Sequence, residues 1–102
     1  MAIYLIFENE IHDPEAYERY KAAARPLVEA AGGEYLARDG KIDVIAGDWN
    51  PGRIVVFKWP DRKTMQDFLA SEAYRPWKEL RESVTKTKTM ILVEGEGHRE
   101  PD

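Results

Sequence analysis

The feature that most constrains this chain is a set of strand-length runs that are apolar at consecutive positions: Ile3-Tyr4-Leu5-Ile6-Phe7, Ile54-Val55-Val56-Phe57 and Met90-Ile91-Leu92-Val93. Successive side chains of a strand point to opposite faces. A sheet built from these runs is therefore greasy on both sides and needs a cover on each.

Helical patterns between the runs supply one cover. Asp13 is placed to cap a first helix, with Pro14 at its first position. Tyr17, Tyr20, Ala24, Leu27, Val28 and Ala31 then recur at three- and four-residue steps, and Gly32-Gly33 ends the pattern. Pro26 lies inside this helix and predicts a kink near residues 22–25. Pro60-Asp61 opens a second helix with Met65, Phe68 and Leu69 inward. Ser71 is a further cap, for a segment with Trp77, Leu80 and Val84 inward.

The expected strands are 2–9, 34–38, 53–59 and 87–94, with 42–46 extending or returning the second strand after a turn at Asp39-Gly40. The order is β-α-β-β-α-β. It predicts an α+β, ferredoxin-like domain: a four-stranded antiparallel sheet with both helices on one face. Residues 1–95 form this domain, and the polar 96–102 segment reads as a mobile tail. The second sheet face stays bare, and leaving several apolar side chains wet costs several kcal/mol at ~25 cal/mol per Å². A second copy is the expected cover, because two-fold dimers are the commonest oligomers. At 102 residues the core is thin, which favours pairing further.

Composition excludes several functions. There is no cysteine, hence no disulfide and no thiolate metal site, which fits a cytoplasmic location. The net charge of -4 and the interspersed charges argue against nucleic acid and anionic membrane as partners. The N-terminal run has no basic lead-in and is too short for a signal peptide or membrane span. Histidine and carboxylate spacings that bind metal are absent, as are phosphate-binding loops, so neither metal nor cofactor is expected.

Candidate ligand-binding residues follow from type and position. In Gly47-Asp48-Trp49-Asn50-Pro51-Gly52-Arg53, Trp49 offers an apolar wall, while Asp48 and Arg53 can orient a polar ligand. The plainer alternative is a rigid loop in which Trp49 plugs the core and Asp48 pairs with Arg53 or a turn amide. Tyr20 and Arg25 lie on or near the inner face of the first helix, and Arg81 falls within the 77–84 face. A buried arginine requires an anion, so Arg25 or Arg81 could receive an anionic substrate; otherwise they are ordinary salt-bridge partners. His12 is the candidate general base, or else a solvated residue before the helix.

Several segments together resemble a known family. They are Tyr4-Leu5-Ile6, Asp13-Pro14-Glu15-Ala16-Tyr17-Glu18-Arg19-Tyr20, Gly32-Gly33-Glu34-Tyr35-Leu36-Ala37-Arg38 and the Gly47–Arg53 loop, with Phe68, Ser71, Tyr74, Arg81 and Leu92-Val93-Glu94-Gly95. The chain is similar to domain of unknown function 1330, except that Ala46 stands where an acidic residue is often found. The resemblance implies a dimeric α+β barrel, in which two sheets face each other across a shared interior. It implies no assigned activity. Relatives in the wider superfamily include cofactor-free monooxygenases and lactone isomerases, and fold alone does not transfer their chemistry. Two functions are expected from this: binding or converting a small anionic or aromatic molecule in a barrel cavity, as a cofactor-independent oxygenase or isomerase would, or a non-enzymatic homodimeric interaction module.

Overall fold

A computed structural model describes residues 2–96. The expected tail beyond Glu96 lies outside them. The elements are β1 (Ile3–Ile11), α1 (Pro14–Ala30), β2 (Glu34–Arg38), β3 (Ile54–Trp59), α2 (Arg62–Leu69), α3 (Arg75–Val84) and β4 (Thr85–Glu94). The fold is the expected ferredoxin-like α+β arrangement, with strands in the order β2-β3-β1-β4 and every neighbour antiparallel.

Local chemistry sets the element ends. The Asp13 carboxylate accepts the Ala16 amide at 3.1 Å and starts α1. The Asp61 carboxylate accepts the Thr64 amide at 2.7 Å and starts α2, a bond that holds its carboxyl below the ordinary range. Ser71 Oγ accepts the Tyr74 amide at 3.3 Å in the turn that leads to α3. α1 continues through Pro26, which lies on its exposed side. After it the chain reverses at Gly32, whose φ of 105° favours glycine. Gly33 is needed for closeness: a Cβ there would meet Val28 Cγ1 at 2.7 Å and the Trp59 ring at 2.8 Å.

Register divides the sheet into two faces. Ile3, Leu5 and Phe7 of β1 pair with Trp59, Phe57 and Val55 of β3, and Leu5 and Phe7 pair with Leu92 and Met90 of β4. This is the helix-covered face, and with Tyr17, Ala24, Val28, Met65 and Phe68 it forms the core. The other face carries Tyr4 and Ile6, opposite Val56, Ile91 and Val93, and no helix among the described residues covers it. Ile91 and Val93 are 48% and 44% exposed. The doubly apolar sheet read from sequence is therefore present.

Residues 42–46 form no strand. β2 pairs with β3 on one side, and this segment does not add to its outer edge. Residues 40–53 instead make an arm without regular secondary structure, in which Ile45 is 92% exposed. The arm contributes to a radius of gyration of 14.6 Å, against about 13 Å for a globule of this length. β1 and β4 run longer than expected, to Ile11 and from Thr85, because these residues pair with each other past a bulge at Glu8/Asn9.

Candidate functional site

A cavity of about 360 Å³ lies between the helix-covered sheet face and the three helices of a single chain. Its floor is Leu5, Phe7, Phe57 and Trp59, which alternation places on that face. Phe68 of α2 stacks near Trp59 with ring centroids 5.3 Å apart. Such a volume with apolar walls suits a small organic ligand. It lies under the helices of one chain, separate from any interior that two facing sheets would share.

Three buried polar side chains, Tyr20, Tyr74 and Arg81, interrupt the apolar lining. The hydroxyls of Tyr20 (α1) and Tyr74 (before α3) are 2.7 Å apart and buried. Burial, reinforced by the Tyr74 hydroxyl, pushes the Tyr20 phenol far above its ordinary range, while the Arg81 charge opposes the shift. Arg81 is the third group. It is 7% exposed, lines the cavity and meets no carboxylate within ion-pair distance among the described residues. Its buried Nε has no acceptor, and neither has the indole N–H of Trp59. Most buried donors are paired, so an Nε–H without an acceptor beside a cavity marks a place for one. Lys78, Glu82, Thr87 and Met90 also line it, with Glu82 exposed.

Of the residues singled out from sequence, Tyr20 and Arg81 are brought together here. The others lie elsewhere. Arg25 is exposed, pairs with Glu29 at 3.5 Å and covers the Tyr35 ring at 5.3 Å. Arg53 does not meet Asp48: it pairs with Asp39, which also takes Lys21 at 2.6 Å, and it lies over the Tyr17 ring at 4.9 Å. Asp39 adopts φ 65° at the turn, a conformation aspartate tolerates, and this aims its carboxylate at both cations. Asp48 is exposed on the arm. Trp49 donates its indole N–H to Glu8 Oε1 at 3.1 Å, and the Gly52 amide donates to Glu8 Oε2 at 3.2 Å. Glu8 follows Tyr4 and Ile6 on the open face, so Trp49 is tied there and not at the cavity. His12 is exposed beside Glu10 at 3.1 Å, outside the cavity lining. No group of His, Cys, Asp and Glu among the described residues could hold a metal ion.

Sequence reasoning gave no site role to Tyr74, Lys78 or Trp59. A signal for the first two was present: Tyr74, Lys78 and Arg81 stand at i, i+4 and i+7, along one side of a helix. Trp59 carried no such signal, because its role depends on which strand face the helices cover.

The family model described as domain of unknown function (DUF1330) matches residues 2–96. Among solved structures, a protein of unknown function from Rhodopseudomonas palustris superposes with a TM-score of 0.77 at 15% identity, covering 98% of this chain and 84% of that one. SnoaB, a cofactor-independent oxygenase from Streptomyces nogalater, superposes with a TM-score of 0.68 at 14% identity, covering 98% and 95%. An EthD family protein from Bacillus halodurans gives 0.59 at 15% identity, covering 93% and 99%. No curated protein matches the chain. At these identities the likenesses establish the fold alone.

Proposed function

The chain belongs to the DUF1330 family, and from that premise we propose that it binds a small anionic aromatic molecule in the cavity under its helices. The observation that carries this is Arg81, a buried arginine whose Nε–H has no acceptor and which meets no carboxylate among the described residues, set in a wall of aromatic side chains. A buried donor left without an acceptor costs about 1–3 kcal/mol, more on a charged group, and a ligand anion removes that cost. One or two rings fill the volume, and Phe57, Trp59 and Phe68 offer faces to stack on.

The reaction class we attach is cofactor-independent oxygenation or isomerisation. The superposition on SnoaB supports it at the level of fold. A non-catalytic reading has its own support: among the described residues the cavity lining includes no histidine, and its one carboxylate, Glu82, is exposed. Oxygen uptake in the presence of bound ligand separates the two.

The active unit we propose is a homodimer joined through the open sheet face, where Ile6, Val56, Ile91 and Val93 need cover. No helix among the described residues is long and apolar enough to cross a membrane.

Thermal shift with a panel of one- and two-ring aromatic carboxylates and phenols tests the binding reading. Wild type gains several degrees with at least one compound, and Arg81→Met loses that gain. Equal gains in both proteins reject the reading.

A further inference from the structure

Counting protons in the cavity says more about the ligand. Two hydroxyls at hydrogen-bond distance share one proton between them, and whichever oxygen accepts still carries its own O–H. The Tyr20–Tyr74 pair, at 2.7 Å, thus has one donor left over. Arg81 adds an Nε–H without an acceptor, and Trp59 adds an indole N–H. The titratable groups around the cavity are Tyr20 from α1 and Tyr74, Lys78, Arg81 and Glu82 from the α3 region; the sheet and α2 contribute none. Burial keeps the Tyr20 phenol protonated at any ordinary pH. The interior therefore presents donors and the positive charge of buried Arg81, with half-buried Lys78 as a second cation nearer the surface, while its one carboxylate stays at the exposed edge.

We propose that the cavity takes an ionisable aromatic alcohol, a phenol or enol, and holds it as the oxyanion against Arg81 and the free hydroxyl proton of the Tyr20–Tyr74 pair. This rests on the binding site proposed above and states what that site selects. A neutral phenol leaves the guanidinium unpaired, whereas its anion pairs it and accepts the remaining hydroxyl proton. The phenol route also eases entry. A neutral ring sheds little hydration on passing apolar walls, and its O–H bond breaks only beside the positive charge, with the proton released to bulk water. A carboxylate must be stripped of water before it enters.

4-Nitrophenol is a suitable probe, because its anion absorbs at a longer wavelength than its neutral form. With protein in excess, its absorbance is followed from pH 5 to 9 and binding is measured independently by equilibrium dialysis. The expected result is a bound probe whose anion band appears at least one pH unit lower than for the free probe, a roughly tenfold preference for the anion. Arg81→Met abolishes the shift, Tyr74→Phe reduces it, and Arg25→Met, on the far side of α1, leaves it intact. A probe that binds with unshifted or raised ionisation overturns the inference and leaves the cavity reading standing. The same shift in Arg81→Met overturns the inference too. Failure of wild type to bind the probe, or any of the aromatic panel, at millimolar concentration overturns both.

Discussion

The Tyr20 and Tyr74 hydroxyls, 54 positions apart in sequence, meet at 2.7 Å and tie α1 to the turn before α3 at the wall of the cavity. Phe68 packs on the Tyr74 ring with centroids 4.5 Å apart, so the pair is held from the α2 side as well. Either single change to phenylalanine strands one buried hydroxyl and is expected to cost about 1–3 kcal/mol. The double change strands neither and is expected to cost less than the sum. Chemical denaturation of the four proteins in a cycle checks this; additive losses would show that the two oxygens do not interact.

Tyrosine burial makes stability depend on alkaline pH. Tyr20 and Tyr35 are both raised above the ordinary value of 10.0, chiefly by desolvation, Tyr35 to about 12. A phenol whose folded value lies above its unfolded one stabilises the fold below pH 10, where both states are protonated. Above pH 10 the unfolded chain ionises first and that contribution drains away. Melting temperature is thus expected to fall steeply between pH 10 and 12, and less steeply in Tyr35→Phe. Identical slopes for the two proteins would contradict the assignment.

Arg81→Met is expected to stabilise the ligand-free protein by about 1–3 kcal/mol, because a thioether fills much of the same volume without leaving a charge unpaired. Few core substitutions of a site residue raise the melting temperature, which makes this a selective test. A loss of stability would mean that the guanidinium has a structural partner after all.

Gly33→Ala is expected to destabilise by about 1–3 kcal/mol through overpacking. Its Cβ lands 2.7 Å from Val28 Cγ1 and 2.8 Å from the Trp59 ring, and Trp59 is 2% exposed with nowhere to retreat. Urea denaturation measures the change. Alanine at Gly40, which has open space around it, serves as the control.

Two substitutions probe the open face. Ile91→Asp buries a charge in the proposed dimer interface and is expected to halve the mass seen by light scattering, to the 11.8 kDa of one chain. Wild type that is already monomeric at micromolar concentration would remove the dimer proposal. Glu8→Ala removes the acceptor for the Trp49 indole and the Gly52 amide, and is expected to speed proteolysis within residues 40–53 severalfold without unfolding the sheet.

Much of this architecture was legible in the chain, because strand and helix patterns are short-range. Alternation in Ile3–Phe7 and the three- and four-residue steps from Tyr17 to Val28 fix which side chains share a face, and Asp13, Asp61 and the glycine pair mark the ends. The bare apolar face followed from the same alternation. What the tertiary structure decided was convergence. Phe7, Tyr20, Phe57, Trp59, Tyr74 and Arg81 come from five segments, and only packing shows that they enclose one space. It also decided which charges are satisfied. Arg53 meets Asp39 and not Asp48 because the arm carries Asp48 away, whereas no described segment delivers a carboxylate to Arg81. Pairing of charges and closure of a cavity are properties of distances between remote residues, and a local period carries no information about them.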